Sequence, residues 1–166
     1  MEVVVSAIAF LANGRAYVAR RAPLKKSLGG HLEFPGGKVK AGESPRDAAV
    51  REVNEELGVS LEPEILQELG TFVVDGIALH VFTAAERESP SAPFGALTLN
   101  AEDHSEGFWL DSSQLREVVH TDVVAPADVP AFAKLAALLE KERADAELAA
   151  RAAAESALEL SSEARE

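Results

Sequence analysis

The sequence predicts an α/β domain that ends in a long, alanine-rich helix, and three observations carry that prediction. Residues 3–22 and 70–83 each hold two apolar, partly alternating runs joined by Asn-Gly or Asp-Gly, the pairs preferred in tight primed hairpin turns. Between them lies a segment, residues 44–58, with helix start and stop signals at its two ends. Towards the end the chain turns to alanine and glutamate with scattered leucine, a composition of high helix propensity.

In the first hairpin Asn13-Gly14 makes the turn, and Arg20 and Arg21 end the second strand, where an arginine pair most simply marks a solvated strand end. Residues 24–30 read as a loop carrying Lys25 and Lys26, either plain surface lysines or phosphate-attracting ones. Phe34-Pro35-Gly36-Gly37-Lys38 follows, and its glycines let main-chain groups approach a ligand with no side chain in the way. The helix is then well specified. Ser44 is the N-cap, Pro45 suits the first turn, Asp47 completes a box-like S-x-x-D, and Gly58 tolerates the left-handed stop.

Ala49, Val53 and Leu57 recur every fourth residue and form an apolar stripe facing a core. On the other side Glu52 and Glu56 are i, i+4 neighbours with Glu55 beside them, a spacing that costs roughly 0.2–0.5 kcal/mol per like-charged pair. Arg51, one turn before Glu55, is placed to pair with it, which leaves Glu52 and Glu56 facing each other. Two unneutralised carboxylates on one face suit a hard divalent cation with oxygen ligands. A solvated acidic face is the plainer alternative.

Residues 61–69 read as a connection into the second hairpin, which turns at Asp75-Gly76. Ile77, Leu79 and Val81 share one face of its second strand; Ala78, His80 and Phe82 share the other, with His80 a partly buried structural residue. Residues 86–97, containing Pro90 and Pro93, read as a loop. The acidic segment 101–111 leads into Phe108-Trp109-Leu110, a strand entering the core, with Glu106 just before it and His104 at the surface. Ser112 or Ser113 is expected to cap a short helix through Val119, and Asp128 to cap the last helix from near Pro130. Phe132, Leu135, Leu138 and Leu139 give that helix an apolar stripe. Beyond Glu140 only Leu148, Leu158 and Leu160 break the run of small side chains, so there is little area to bury. The expected division is a domain over residues 1–140 and a helical extension over 141–166. The extension reads as a protruding helix, a partner-binding helix that makes a homodimer, or a frayed end.

A chain of 166 residues fits one domain with a sizeable core. It has no cysteine, no apolar run near the ~20 residues of a membrane span and no basic stretch of the signal-peptide kind at its start, so a cytoplasmic location is expected. The net charge of −12 disfavours nucleic acid polymers and anionic membranes as partners. A small phosphorylated substrate is compatible where metal ions and local Arg and Lys offset that field.

Gly37, Glu43 and the run Arg51-Glu52-Val53-Asn54-Glu55-Glu56-Leu57-Gly58-Val59, separated by five and then seven residues, resemble the signature of the Nudix hydrolase family without a departure. Seven fixed residue types at fixed spacing match by chance on the order of once in 10⁸ windows, so acidic composition alone does not produce the pattern. Leu32-Glu33-Phe34-Pro35-Gly36-Gly37-Lys38 is similar to the MutT-like branch, and the resemblance covers roughly residues 3–132. It implies an α/β/α sandwich with a mixed sheet. It implies that magnesium, or manganese, is held by Glu52, Glu55 and Glu56 with the Gly36 carbonyl. Arg51 belongs to the catalytic set, and Glu43 supports it without a chemical step. Of the two arginines Arg21 is expected near the substrate, with Phe34 and Lys38. The family often adds one more glutamate after the box as metal ligand or base. Glu106 is the best match, with Glu102 and Asp103 as rivals. A base-reading Asn or Asp near the last helix would be Asp128. The residue that takes the water's proton stays open among Glu52, Glu55 and Glu106.

Substrate class follows by elimination within that resemblance. Residues 71–77 lack the proline of the ADP-ribose branch, the single tyrosine, Tyr17, precedes the box, unlike that of the diadenosine polyphosphate hydrolases, and S-Q-P-W-P is absent. What remains is the MutT-like class, acting on nucleoside triphosphates, with oxidised purine nucleotides as candidates. It implies attack at the β-phosphorus and release of a nucleoside monophosphate and pyrophosphate. ADP-ribose or a nucleotide sugar is the alternative substrate. A non-catalytic nucleotide-binding regulator is the alternative of another class, and the intact Arg51-Glu52 and Glu55-Glu56 pairs stand against it.

Overall fold

A computed structural model describes residues 2–85 and 97–165. The loop expected at residues 86–97 therefore lies, apart from Leu97, outside the described residues. The elements are β1 (Val3–Ala12), β2 (Arg15–Arg21), β3 (Leu32–Glu33), β4 (Gly36–Lys38), α1 (Pro45–Leu57), β5 (Gln67–Val74), β6 (Ile77–Ala85), β7 (His104–Leu110), α2 (Ser112–Val119) and α3 (Val129–Glu163), with one 3₁₀ turn at Pro63–Ile65. Both hairpins turn where expected. Asn13 and Gly14 have φ of 52° and 70°, and Asp75 and Gly76 have 48° and 78°, the paired positive φ of a type I′ turn.

The described strands form one mixed sheet in the order β3-β2-β1-β6-β5, with β4 on β1 and β7 on β2. β1 and β6 run parallel over nine residue pairs, and the other pairings are antiparallel. β1 and β2 pair only next to their turn, at Leu11↔Ala16 and Ala12↔Arg15. Beyond that they splay apart, and the segment from Leu32 to Lys38 enters the gap: β3 pairs with the end of β2, and β4 with the start of β1. The wedge so formed carries the glycine pair into the middle of the fold.

Strand alternation divides the core in two. Ile8, Phe10 and Tyr17 point to one face, covered by Ala49, Val53 and Leu57 of α1. Ala7, Ala9 and Val18 point to the other, covered by Leu115 of α2 and by Phe132 and Leu135 of α3. The result is the α/β/α layering expected from the sequence. α3 is unbroken over 35 residues, but only its first part is buried, through Ala131, Phe132, Leu135, Ala136 and Leu139. From Lys141 to Arg165 every residue is exposed.

Three local expectations need correction. The stretch taken as a connection through residue 69 is already strand from Gln67. The cap of α2 is Asp111, not Ser112 or Ser113: its extended backbone lets the carboxylate accept from the Gln114 amide, and the Gln114 side chain returns the bond. Asp128 stands at the N-cap position of α3 but its side chain makes no capping bond. Its φ and ψ of −86° and −19° are helical, not the extended values a capping side chain needs.

Candidate active site

α1 is fixed as its sequence dictates. Ser44 Oγ accepts from the Asp47 amide at 3.1 Å, and Gly58, at φ 66°, donates its amide to the Asn54 carbonyl at 3.0 Å. With Ala49, Val53 and Leu57 at 0–1% exposure, the helix cannot rotate without unpacking its stripe. Its acidic side is thereby aimed at Gly36 and Gly37 in the wedge.

Arg51 organises that side; it does pair with Glu55 as expected, but its closer partners are others. Its Nε and Nη2 donate to the two oxygens of Glu43 at 2.7 and 3.1 Å, and Nη2 also donates to the Lys38 carbonyl at 3.1 Å. Its Nη1 lies 2.7 Å from Glu52 Oε1, whereas Glu55, with its side chain 55% exposed, is no closer than 3.4 Å. Glu52 is thus held more firmly than Glu55. The Arg51 hydrogen bonds, and then the Lys40 amide, hold the Glu43 carboxyl down at about 2, so it stays ionised as the anchor of the arginine. Glycine at position 37 leaves Glu52 its place, since a Cβ there would lie 2.4–2.5 Å from that carboxylate and push it aside.

Glu56 differs from its neighbours. Only 8% exposed, it accepts the Gly36 amide on Oε2 at 3.2 Å. Burial pushes its acid up to about 9, and the charges of Glu33, Glu52 and Asp103 push in the same direction. Glu33 is held by Arg21 Nη1 at 3.3 Å and by His104 Nε2 at 3.1 Å. His104 was expected at the surface and is instead 1% exposed. β7 starts at this residue, four positions before the Phe108 where the sequence suggests it, and its ring turns inward between Glu33 and Glu56.

The remaining candidates fall into two groups. Arg21, half-buried, donates to the Ser27 carbonyl at 2.7 Å as well as to Glu33. Asp128, 6% exposed, accepts the Phe34 amide at 3.0 Å. Burial pushes its acid up to about 8; Glu33 adds to that rise, while the Phe34 amide and Arg21 oppose it. The Phe34 ring itself is buried 4.5 Å from that of Phe132. These groups converge on the wedge. Lys38 is exposed at its rim. Glu106 lies opposite Arg20 in the β2–β7 ladder, 3.6 Å from its guanidinium, and is not among the charges acting on Glu56. Its rival Asp103 is, while its Oδ1 pairs with Lys25 at 2.7 Å; Glu102 is exposed.

Among the described residues no three carboxylate or imidazole side chains are gathered into a formed metal cluster. The donor chemistry nevertheless fits a divalent cation. Glu56 is an enclosed carboxylate on which three others act as like charges, and a hard cation with oxygen ligands would offset that repulsion.

The family model of the NUDIX domain matches residues 2–134. The 8-oxo-dGTP diphosphatase of Haemophilus influenzae is 37% identical over 84 residues, covering 51% of this chain and 57% of that protein, so the match spans little more than half of that relative's length. The CTP pyrophosphohydrolase of Escherichia coli is 30% identical over 139 residues, covering 80% of this chain and 90% of that protein. Among solved structures, that of the E. coli ORF135 protein superposes with a TM-score of 0.62 at 29% identity, covering 83% of this chain and 91% of that one.

Proposed function

We propose that this chain, which belongs to the NUDIX domain family, is a metal-dependent pyrophosphohydrolase that cleaves nucleoside triphosphates to a nucleoside monophosphate and pyrophosphate. The observation that carries the reading is the ordered acidic row of α1 over the glycine strand, with Glu43–Arg51–Glu52 locked together, Glu52 packed on Gly37 and Glu56 on the Gly36 amide. The names of the two curated relatives differ in the base and agree in a nucleoside triphosphate. The triphosphate is therefore the part of the substrate the site is read to recognise, with 8-oxo-dGTP and CTP as the first candidates.

Glu52 and Glu56, with Glu55 and the Gly36 carbonyl, would hold magnesium or manganese. When bound, such a cation neutralises phosphate oxygens and lowers the pKa of a coordinated water. Arg51 keeps Glu52 fixed, while Glu55 stays exposed enough to take a proton from water at the rim. Glu52 and Glu106 are the other candidates for that base. Arg21 and Lys38 supply positive charge for the phosphate chain. Asp128 acts on the base end through the main chain of Phe34.

The test is incubation with magnesium and a panel of nucleoside triphosphates, including 8-oxo-dGTP and CTP, beside ADP-ribose and nucleotide sugars. Pyrophosphate and monophosphate from one or more triphosphates is the expected result. Turnover of ADP-ribose alone would move the protein to another branch of the family. Tight nucleotide binding with no hydrolysis would make it a regulator.

A further inference from the structure

We infer that His104 is the positioning residue of Glu56, an inference that rests on the reading of Glu56 as a metal ligand. His104 is fully enclosed, and its Nδ1 is a buried polar atom with no hydrogen-bond partner among the described residues. A buried polar group without a partner is unfavourable, so its presence at the centre of an acidic site calls for a reason. The geometry supplies one. Nδ1 lies 3.7 Å from Glu56 Oε2, about half an ångström beyond hydrogen-bond reach, and a small rotation of the Glu56 carboxylate closes that gap.

Ring and carboxylate also share one frame. The last turn of α1 leaves carbonyls without partners inside the helix. Asn100 donates its amide to the Glu56 carbonyl at 3.0 Å, and His104 donates its own to the Asn100 carbonyl at 2.9 Å. The approach to β7 is thus fastened to the residue whose side chain His104 faces. On the far side Nε2 meets Glu33 at 3.1 Å, and Glu33 is held by Arg21, which holds the loop at Ser27. Glu56 therefore has two settings, one on the Gly36 amide alone and one shared with His104. The ring limits how far the carboxylate swings as it takes up a cation.

The experiment uses His104→Asn, His104→Gln and His104→Ala in the full chain. The Asn amide reaches the place of Nδ1, and the Gln amide that of Nε2. Each variant is melted without nucleotide across a magnesium series and in EDTA, and kcat and KM are measured for the best triphosphate. Expected are a rise of about tenfold in the magnesium concentration that half-saturates the Tm shift for Gln and Ala, as for other groups that orient a metal ligand, and a lower kcat at unchanged KM. His104→Asn should recover most of both.

If all three variants keep the wild-type magnesium midpoint and kcat and only the EDTA melt moves, His104 is merely structural and the inference is overturned. Recovery by Gln but not Asn would also overturn it, by placing the effect at Glu33. Should the alanine variant fail to fold, the Asn and Gln pair decides alone. Failure of the functional reading looks different: wild type would show the magnesium shift, sensitive to His104, with no triphosphate turned over. Absence of a magnesium shift in wild type would overturn the inference, and the functional reading with it only where no triphosphate is hydrolysed.

Discussion

Glu56 and Asp128 are both enclosed acids, and each takes one amide from the same short segment. Gly36 donates to Glu56 at 3.2 Å, and Phe34, two residues earlier, donates to Asp128 at 3.0 Å. The two carboxylates come from opposite layers, one from α1 and one from the start of α3, so the wedge is pinned from both sides of the sheet. Their surroundings differ. Glu56 is crowded by Glu33, Glu52 and Asp103 and faced by an imidazole. Asp128 lies beside the Phe34–Phe132 contact, with Glu33 and Arg21 acting on it with opposite signs. A buried acid amid other acids needs a counter-charge from outside the chain; one with a single amide and balanced neighbours can be satisfied within it. By that argument Glu56 faces a bound cation directly, while Asp128 acts only by fixing the main chain of Phe34.

The sharpest way to break the comparison is to neutralise Glu56 at constant shape. Glu56→Gln is expected to lower kcat by at least ~10²-fold, the size of losing a major electrostatic element, and to abolish the magnesium-induced rise in Tm. Near wild-type turnover at saturating magnesium would remove Glu56 from the metal site and make the two acids alike. A smaller effect on the same side of the sheet is expected from Gly37→Ala. Its Cβ would meet the Glu52 carboxylate at 2.4–2.5 Å and must displace it from Arg51. About tenfold in kcat is a reasonable loss for a misplaced group, with little change in the EDTA melt. Unchanged kcat would show that the Glu52 position does not matter to the chemistry.

The same comparison shows what was legible in the sequence. α1, its caps and both hairpin turns were, because each depends on residues within a few positions of one another. The acidic row was legible as a pattern but not in its pairing. Glu43 reaches Arg51 from a loop eight residues earlier and displaces the neighbouring Glu55 as its main partner. Asp128 read as a helix cap because caps are local, whereas its actual partner, Phe34, is 94 residues away. His104 was hidden for a related reason. Its burial depends on where β7 begins against β2, at a register shift next to Arg21 that no local periodicity announces.

Asp128 can be tested by its linkage to folding. Its acid lies at about 8 in the folded chain against 3.8 for an ordinary aspartate. The folded state therefore holds a proton that the unfolded state releases. The resulting stabilisation is complete below about pH 4 and is lost as pH rises through about 8, falling by up to ~1.4 kcal/mol per pH unit in between. Asp128→Asn keeps an oxygen for the Phe34 amide and removes the titration. Urea midpoints for wild type and variant between pH 5 and 8 should show a falling wild-type stability and a flatter one in the variant. Equal slopes would mean that Asp128 is ionised in the folded chain, its charge compensated by Arg21.

The smallest effect is expected where α3 leaves the body of the protein. Phe132 and Leu135 are fully enclosed, while Leu148, Leu158 and Leu160 are 66–69% exposed. Asp128 and the buried part of α3 hold the wedge; the part beyond Arg143 touches none of the groups assigned a role here. A chain ending at Arg143 should fold with a stability change below about 1 kcal/mol, since little apolar area is lost, and should keep kcat/KM. The competing reading is that the alanine-rich helix packs on a second copy, where small side chains allow close approach. Size-exclusion chromatography with light scattering on both lengths of chain separates the two. If shortening dissociates an oligomer and kcat/KM falls with it, the extension is part of the working enzyme. The division of the chain near residue 140 would then have to be abandoned.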